Sequence, residues 1–267
     1  MKLKLCDAKS LDIVKTFECG QCFRWNANDK GVYTGVVGRY LAEVETVDSA
    51  VYITSDAPAE MWADYFDLAT DYAAVSADFT GEYLHECIDY GMGIRILRQD
   101  SWEALCSFII SQCNNITRIK GIVERLCEQF GDKCETNGVG YYTFPSAERL
   151  AALRPSDLAG IRAGYRAEYI IAAARAVTTG ELDLDALKIC DYREAIRTLR
   201  QIRGVGEKVA NCVVLFGLYH MEAFPIDVWM KRALKEHFPA DFDPTSLGAY
   251  AGLAQQYIFY YSRSGGK

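Results

Sequence analysis

The chain has no hydrophobic run that approaches the ~20 residues of a membrane-spanning helix, and its first ten residues, MKLKLCDAKS, contain no apolar core of an export signal. These absences favour a cytoplasmic protein that has no membrane partner. Basic residues are missing altogether between residues 41 and 90. Residues 1–90 carry 7 Lys and Arg against 16 Asp and Glu, whereas residues 91–267 carry 22 against 20. The acidic part is therefore excluded as a phosphate-binding surface, and positive clusters have to form in the remainder.

A second closely spaced cysteine pair is missing as well. Among the ten cysteines only Cys19 and Cys22 stand three apart, in the segment FECGQCFRW at residues 17–25. Such a pair suits a dithiol redox centre or half of a zinc site. No other pair supplies further zinc ligands, and no βαβ pattern indicates a thioredoxin-like fold. The dithiol is therefore the minor alternative to a role for Gly20, which lies between the two cysteines.

Two kinds of hydrophobic periodicity divide the chain. Residues 23–54 alternate in polarity and favour β-formers between turn clusters, which predicts an antiparallel sheet. From about residue 57 the apolar spacing becomes helical. We therefore expect an α+β fold, in which residues 1–92 form an N-terminal antiparallel β/α domain and residues 93–267 form a mostly α-helical body.

The segment LRQIRGVGEKVANCVVLFGL, residues 199–218, is the most informative stretch of the chain. Its pattern predicts a helix to about Ile202, a break at Gly204 and Gly206, and a second helix from near Glu207. Two glycines around one apolar residue permit a hairpin that exposes the first backbone amides of the second helix. Such amides bind phosphate oxygens without any base preference. An ordinary turn between two helices is the alternative for this stretch taken alone.

Together with the following segment AFPIDVWMKRALKEHF, the hairpin resembles that of the helix-hairpin-helix DNA glycosylases. Members of that family carry Leu-x-x-Ile/Leu-x-Gly-Val-Gly-x-Lys and then Pro-x-Asp. Here Lys208 and Asp227 match this pattern and lie 19 residues apart. The resemblance implies a helix-hairpin-helix motif at about residues 194–218 of the helical body. The lysine marks those members that use an amine nucleophile.

The chemistry of base removal gives both residue types a role. Cleavage of an N-glycosidic bond builds positive charge on the sugar, which a carboxylate such as that of Asp227 stabilises. An amine such as that of Lys208 can attack C1′ and form a Schiff base, which allows strand scission by β-elimination. Taken singly, the two residues have the alternatives of a phosphate-binding lysine and a helix-capping aspartate. Their joint spacing behind the hairpin favours the catalytic pair.

The residues GQCFRW narrow the resemblance to the 8-oxoguanine branch of the family. The resemblance to this branch implies that the carbonyl of Gly20 accepts a hydrogen bond from the N7 proton of 8-oxoguanine. Normal guanine lacks this proton. A side chain at this position would keep the purine away from the backbone. The resemblance also places Cys212 and Phe259 on the two faces of a flipped base, Gln255 at its Watson–Crick edge and Pro225 in the same site. Taken separately, the cysteine and the phenylalanine would be core residues.

The resemblance also supplies residues for the gap that a flipped base leaves in the duplex. In AGYRAEY, Tyr165 is expected to act as an aromatic wedge and Arg166 to reach the orphaned cytosine. In SQCNNITRI, Asn114 is expected in the vacated space and Arg118 as the second cytosine reader. Arginine suits this role because it offers only donors to the acceptors of an unpaired cytosine. A core tyrosine and solvated surface arginines are the alternatives.

These features predict a bifunctional 8-oxoguanine DNA glycosylase and abasic-site lyase, a monomer that acts on duplex DNA carrying 8-oxoguanine opposite cytosine. A glycosylase for another damaged base, such as an alkylated purine, and a catalytically silent DNA-binding module are the alternatives. No cofactor is expected, because Cys212 is the last cysteine and a four-cysteine iron–sulfur cluster is thereby excluded. The resemblance allows a Na⁺ or K⁺ ion on the main-chain carbonyls of Arg200, Ile202 and Val205.

Overall fold

The computed structural model describes residues 1–265 of the chain. Its strands are β1 (Lys2–Asp7), β2 (Asn26–Ala27), β3 (Tyr33–Val37), β4 (Tyr40–Val47), β5 (Ala50–Ser55), β6 (Lys133–Thr136) and β7 (Val139–Tyr142). Its α-helices are α1 (Ile13–Glu18), α2 (Ala59–Tyr65), α3 (Tyr72–Ala77), α4 (Glu82–Gly91), α5 (Ser101–Ser111), α6 (Ile116–Phe130), α7 (Ala147–Ala151), α8 (Arg166–Thr178), α9 (Leu184–Ile189), α10 (Tyr192–Leu199), α11 (Glu207–Phe216), α12 (Val228–His237) and α13 (Ala251–Ser264). Short 3-10 helices span Pro155–Ile161 and Pro244–Tyr250. The predicted α+β fold class is confirmed.

The N-terminal sheet is antiparallel and has the strand order β1-β5-β4-β3-β2. It packs with α1 and α2 around an aromatic cluster, in which Phe17 stacks on Trp25 with ring centroids 4.4 Å apart. Trp25 also lies against Gly35 of β3, where a Cβ atom would come within 2.4 Å of the indole. The indole N–H donates to the hydroxyl of Tyr65 at 2.8 Å. Trp25 thus anchors one end of the FECGQCFRW segment in the smaller of two cores.

The larger core belongs to the helical body, but it also takes in α4. Helix α4 lies along α13, the last helix of the chain, and α13 in turn packs against α12. Helix α11 packs on α5, where the rings of Phe108 and Phe216 stack with centroids 5.4 Å apart. Helix α11 is therefore held by α5, and the last helix α13 is held by α4 and α12.

The FECGQCFRW segment runs between the two cores. Its side chains enter them in alternation, Cys19 and Phe23 the larger core and Cys22 and Trp25 the smaller. Gln21 is fully buried between them. Its Nε2 donates to the carbonyl of Arg95 at 2.7 Å, and its Oε1 accepts from the amide of Leu97 at 2.9 Å. These bonds fix the segment to the strand-like linker that enters the helical body.

A buried ion pair joins the same segment to α5. The Arg24 side chain is 4% exposed, and its Nη1 lies 3.7 Å from Oε2 of Glu103. Nη2 donates to the carbonyl of Tyr142, whereas Nε and Nη1 have no hydrogen-bond partner among residues 1–265. Burial raises the pKa of Glu103 to about 7, although the charge of Arg24 acts in the opposite direction. The fold therefore favours the protonated carboxyl.

We expect Glu103 to make the stability of the protein depend on pH. Because the pKa of Glu103 is raised in the folded state, the contribution of Glu103 to stability is fully present below about pH 4.5. This contribution is lost as the pH rises through about 7. The loss in the free energy of unfolding is at most about 3 kcal/mol. Urea unfolding at about pH 5 and about pH 8 measures this difference. Glu103→Gln should flatten the profile and the exposed control Glu181→Gln should not; a profile equally steep in Glu103→Gln contradicts the expectation.

Candidate active site

A small cavity of about 40 Å³ lies between the FECGQCFRW segment, helices α5, α11 and α13, and the turn before α12. The residues predicted to be catalytic or base-binding all line it: Gly20, Lys208, Cys212, Pro225, Asp227, Gln255 and Phe259. Residues without a predicted role complete its wall: Cys19, Phe108, Phe216 and Gln256. The fold thus brings the two ends of the chain and the hairpin helix to one site.

The cavity is much smaller than the ~300–1,000 Å³ that is typical of small-molecule pockets. A purine base therefore enters only if side chains of the wall move. Lys208, Asp227 and Phe259 are half-buried, whereas Cys212, Pro225 and Gln255 are buried. The half-buried residues are the more exposed part of the wall.

Lys208 lies in the first turn of α11, directly after the hairpin. Its Nζ is 5.5 Å from the ring centroid of Phe108 on α5. Cys212 follows one turn later, and burial raises the pKa of its thiol. The amine of Lys208 lowers the pKa of this thiol and the carboxylate of Asp227 raises it. Since Lys208, Cys212 and Asp227 all line the cavity, the amine and the carboxylate face the same small space.

Asp227 is the N-cap residue of α12. Its Oδ1 accepts a hydrogen bond from the amide of Met230 at 2.9 Å. The helix-capping alternative for this residue therefore applies, but it does not exclude a catalytic role, because the same carboxylate lines the cavity. The cap holds the carboxylate in one orientation at the cavity wall.

Gly20 has a backbone that favours glycine, with φ +84°. The carbonyls around it are engaged by side chains: Arg263 donates to Glu18, Gln256 to Cys19 at 2.9 Å and Gln99 to Gln21 at 2.8 Å. The carbonyl of Gly20 accepts no hydrogen bond from residues 1–265. This segment of the cavity wall therefore presents one unpaired backbone acceptor.

The two cysteines that flank Gly20 are buried thiols. Burial raises the pKa of Cys19 to about 11 and that of Cys22 well above its ordinary value. Their sulfur atoms donate to the carbonyls of Thr16 at 3.2 Å and Phe17 at 3.9 Å. Since a reactive dithiol needs an accessible thiolate, the geometry argues against the redox alternative.

Gln255 brings an unpaired acceptor to the cavity from α13. Its side chain is 4% exposed, and its Oε1 is buried with no partner among residues 1–265. A buried amide oxygen without a partner is costly unless a ligand pairs with it. One turn later Phe259 lies beside Gly20, where a Cβ atom would be 3.5 Å from its ring. Both residues therefore face the same side of the site.

The hairpin has a close-packed glycine and an open one. Gly204 has φ +86°, and a Cβ atom there would meet the ring of Tyr169 at 2.2 Å. Gly206 is the N-cap of α11, and a Cβ atom there would meet no atom of residues 1–265 within 4 Å. In the same range no side chain caps this helix. Its first amides are therefore open on the side of Gly206, as an anion-binding helix start requires.

The residues predicted to contact the opposite strand lie outside the cavity wall. Tyr165 is 52% exposed at the start of α8, and Arg118 is exposed on α6. Asn114 is half-buried and donates to the carbonyl of Ile110 at 3.1 Å. These three positions leave their side chains at or near the surface.

Arg166 lies differently from its neighbours. It is 4% exposed, and its guanidinium donates to the carbonyls of Gln112, Cys113 and Ala163. In this arrangement Arg166 ties the start of α8 to the asparagine-rich loop. To reach a cytosine it would have to leave those carbonyls.

Within residues 1–265 no helix combines the length and apolarity needed to cross a bilayer. In the same range no three His, Cys, Asp or Glu side chains are grouped as ligands of a metal ion.

Two family models divide nearly the whole chain between them. Residues 4–105 match the 8-oxoguanine DNA glycosylase, N-terminal domain, and residues 106–252 match the HhH-GPD superfamily base excision DNA repair protein. The chain belongs to the HhH-GPD superfamily of base excision DNA repair proteins. The predicted resemblance and the prediction of a DNA glycosylase and lyase enzyme are thereby confirmed.

This HhH-GPD chain is similar to characterised relatives over most of its length. It is 29% identical to the N-glycosylase/DNA lyase OGG1 of Arabidopsis thaliana, over 93% of this chain and 76% of the relative. It is 32% identical to a DNA-3-methyladenine glycosylase of Bacillus subtilis, over 71% of this chain and 68% of the relative. Both matches therefore cover more than two thirds of each chain.

Solved structures are similar to this chain over its whole length. MBOgg1 in complex with a low affinity DNA ligand is 39% identical, with a TM-score of 0.92 over 100% of this chain and 96% of that chain. The 8-oxoguanine glycosylase/lyase of Clostridium acetobutylicum, in complex with double-stranded DNA containing cytosine opposite 8-oxoguanine, is 34% identical. Its TM-score is 0.90 over 100% of this chain and 99% of that chain.

Proposed function

We propose that the protein excises 8-oxoguanine from duplex DNA and then cleaves the strand at the abasic site. The observation that carries the proposal is the shared cavity, in which an amine, a carboxylate and an unpaired glycine carbonyl come together. Lys208 attacks C1′ as the neutral amine while the bond from C1′ to N9 of the base breaks, and the proton that the amine gives up goes to the departing base. Asp227 stabilises the positive charge that develops on the sugar. The sugar ring then opens as the C1′–O4′ bond breaks and O4′ takes up a proton, which gives a Schiff base. Loss of the C2′ proton from this Schiff base expels the 3′ phosphate by β-elimination. The names of the relatives support the same reaction.

Lesion recognition follows from the two unpaired acceptors. In 8-oxoguanine N7 carries a proton, whereas in guanine N7 is itself an acceptor. The carbonyl of Gly20 accepts a hydrogen bond from N7 of 8-oxoguanine. With guanine in the site, the same carbonyl faces the N7 lone pair and remains unpaired. The Oε1 of Gln255 pairs with the N–H donors of the Watson–Crick edge. A site that leaves a buried polar atom unpaired against the wrong substrate discriminates by about 10⁴ or more.

The base reaches this site by flipping out of a duplex. The backbone amides of the hairpin at Gly204 and Gly206 bind the phosphates, and Tyr165 fills the gap in the stack as a wedge. Asn114 occupies the vacated space, and Arg118 and Arg166 contact the orphaned cytosine, Arg166 after release from its carbonyls. The cytosine opposite 8-oxoguanine in the Clostridium complex supports this choice of opposite base.

A monovalent cation at the hairpin is a further part of the proposal. The carbonyls of Arg200, Ile202 and Val205 would hold it and bridge it to a phosphate. The carbonyl of Ile202 already accepts from the amide of Val205 at 3.0 Å, so its second lone pair would serve the ion. No other cofactor is needed for amine and carboxylate chemistry.

Borohydride trapping tests the proposal. Duplexes carrying 8-oxoguanine opposite cytosine, guanine opposite cytosine, or an alkylated adenine opposite thymine are incubated with protein and reductant. A covalent adduct formed on the 8-oxoguanine duplex supports the proposal. Trapping only on alkylated adenine instead identifies the alternative suggested by the Bacillus relative, and binding without trapping identifies a silent DNA-binding module.

Gly20→Ala should reduce excision of 8-oxoguanine by about 100-fold or more, since it puts a methyl group where the base approaches the backbone. The positive φ also destabilises the fold by about 1–2 kcal/mol. Gly31→Ala is the matched control, because Gly31 has φ +76° and an added Cβ atom there meets nothing within 4 Å. Single-turnover excision and thermal melting are measured for both. Equal excision rates in the two variants would refute a role for Gly20 in recognition.

A further inference from the structure

Two side chains of α13 hold the backbone on the N-terminal side of Gly20. Gln256 is 2% exposed and donates from Nε2 to the carbonyl of Cys19 at 2.9 Å. Arg263 donates from Nη2 to the carbonyl of Glu18. These bonds join residues that are 237 and 245 positions apart in the chain. Hydrogen bonds from α13 therefore hold the segment that carries the Gly20 carbonyl.

These hydrogen bonds affect the direction of the Gly20 carbonyl because glycine has the most flexible backbone of all residues. The peptide units themselves are planar, so the direction of the Gly20 carbonyl depends on only a few dihedral angles. Gln256 fixes the peptide before it, and Gln99 fixes the carbonyl of Gln21 after it. With both neighbours held, the carbonyl of Gly20 keeps one direction and stays unpaired.

Arg263 also contacts the other side of the site. Its guanidinium carbon lies 5.5 Å from the ring centroid of Phe259, one turn earlier on α13. Its Nη1 is buried without a hydrogen-bond partner among residues 1–265 and lies 3.6 Å from the Cβ position of Gly20. A charged donor left unpaired is costly, and the bond to Glu18 and the aromatic contact offset that cost. Arg263 thus joins the Gly20 segment and the Phe259 ring into one unit.

We propose that Gln256 and Arg263 are positioning residues for base selection. They fix the direction of the Gly20 carbonyl and the place of the Phe259 ring, and so set the preference for a purine that offers a proton at N7. This inference rests on the proposed excision of 8-oxoguanine. It assigns both residues a role in recognition of the base and none in the attack on C1′.

The test compares two reactions of the same protein. Release of 8-oxoguanine requires the base in the cavity. Cleavage of a preformed abasic site requires Lys208 and binding of the DNA backbone, but no base. For Gln256→Met and Arg263→Met we expect the ratio of the two single-turnover rates to fall about 10-fold to 100-fold, as loss of a buried hydrogen bond implies. Arg263→Lys keeps a donor and should recover part of the ratio. Gln129→Met and Arg154→Met, at exposed positions, should keep the parental ratio.

Two results would overturn the inference. If both variants kept the parental ratio of 8-oxoguanine release to abasic-site cleavage, the hydrogen bonds from Gln256 and Arg263 would have no effect on recognition. A parallel fall of both rates, with the ratio unchanged, would mean that the two residues act on the fold alone. A parent protein that cleaves abasic DNA but does not release 8-oxoguanine would instead refute the proposed function, so the two failures are distinguishable.

Discussion

Lys208→Gln should abolish the borohydride-trapped adduct on 8-oxoguanine DNA and reduce strand cleavage by on the order of 10³-fold or more, because no other amine lines the described cavity. The substitution keeps the length and polarity of the side chain. It also removes a cation from the first turn of α11, where the helix dipole disfavours positive charge. Stability should therefore stay the same or rise by roughly 0.3–1 kcal/mol. Trapping, single-turnover cleavage and thermal melting together separate lost chemistry from lost folding.

A second lysine provides the control for this result. Lys231 is exposed on α12, and Lys231→Gln removes the same charge a few residues from Asp227. It should trap the substrate at the parental rate, with at most a modest effect on DNA affinity. An adduct of undiminished yield in Lys208→Gln would exclude Lys208 as the nucleophile.

Asp227→Asn should reduce base excision by roughly 10²–10³-fold while leaving the fold intact, because it removes the charge that stabilises the sugar cation. Asparagine is as good an N-cap as aspartate, so the bond to the amide of Met230 can persist. Asp227→Ala should lose a similar amount of activity and in addition about 1 kcal/mol of stability. Excision kinetics and urea unfolding of the two variants separate the catalytic role of the carboxylate from its capping role.

Another N-cap aspartate shows what capping alone contributes. Asp191 caps α10 and accepts from the amides of Arg193 and Glu194, away from the cavity. Asp191→Ala should lose stability like Asp227→Ala but keep its excision rate. Full activity in Asp227→Asn would show that the charge of Asp227 is not needed.

Local patterns predicted which residues of one helix reach the cavity together, because shared helix faces depend on short spacings. Lys208 and Cys212 are four residues apart on α11, and Gln255 and Phe259 are four apart on α13, so each pair has to share a helix face. Helix α11 begins at Glu207, as the glycines before it indicate. These relations hold in any fold that keeps the helices.

Element boundaries and one hairpin were predicted less well. The helix before Gly204 ends at Leu199 rather than near Ile202, since the amide of Ile202 donates to the carbonyl of Leu199 in a turn. Strands β6 and β7 lie within the part expected to be mostly helical. Asn137 and Gly138, with φ +52° and +78°, form the two-residue turn between them. Asn-Gly is a turn signal that is present in the sequence, although the prediction for residues 93–267 included no strands.

By itself the sequence determined which groups are available and which of them share a helix face. These are the amine behind the hairpin, the carboxylate after Pro225, the glycine between two cysteines, and the glutamine and phenylalanine of α13. Only the tertiary structure decided which backbone acceptor stays free, because its neighbours are paired by Gln99, Gln256 and Arg263. Hydrogen bonds across such separations depend on how the two cores pack, and no local pattern encodes that packing.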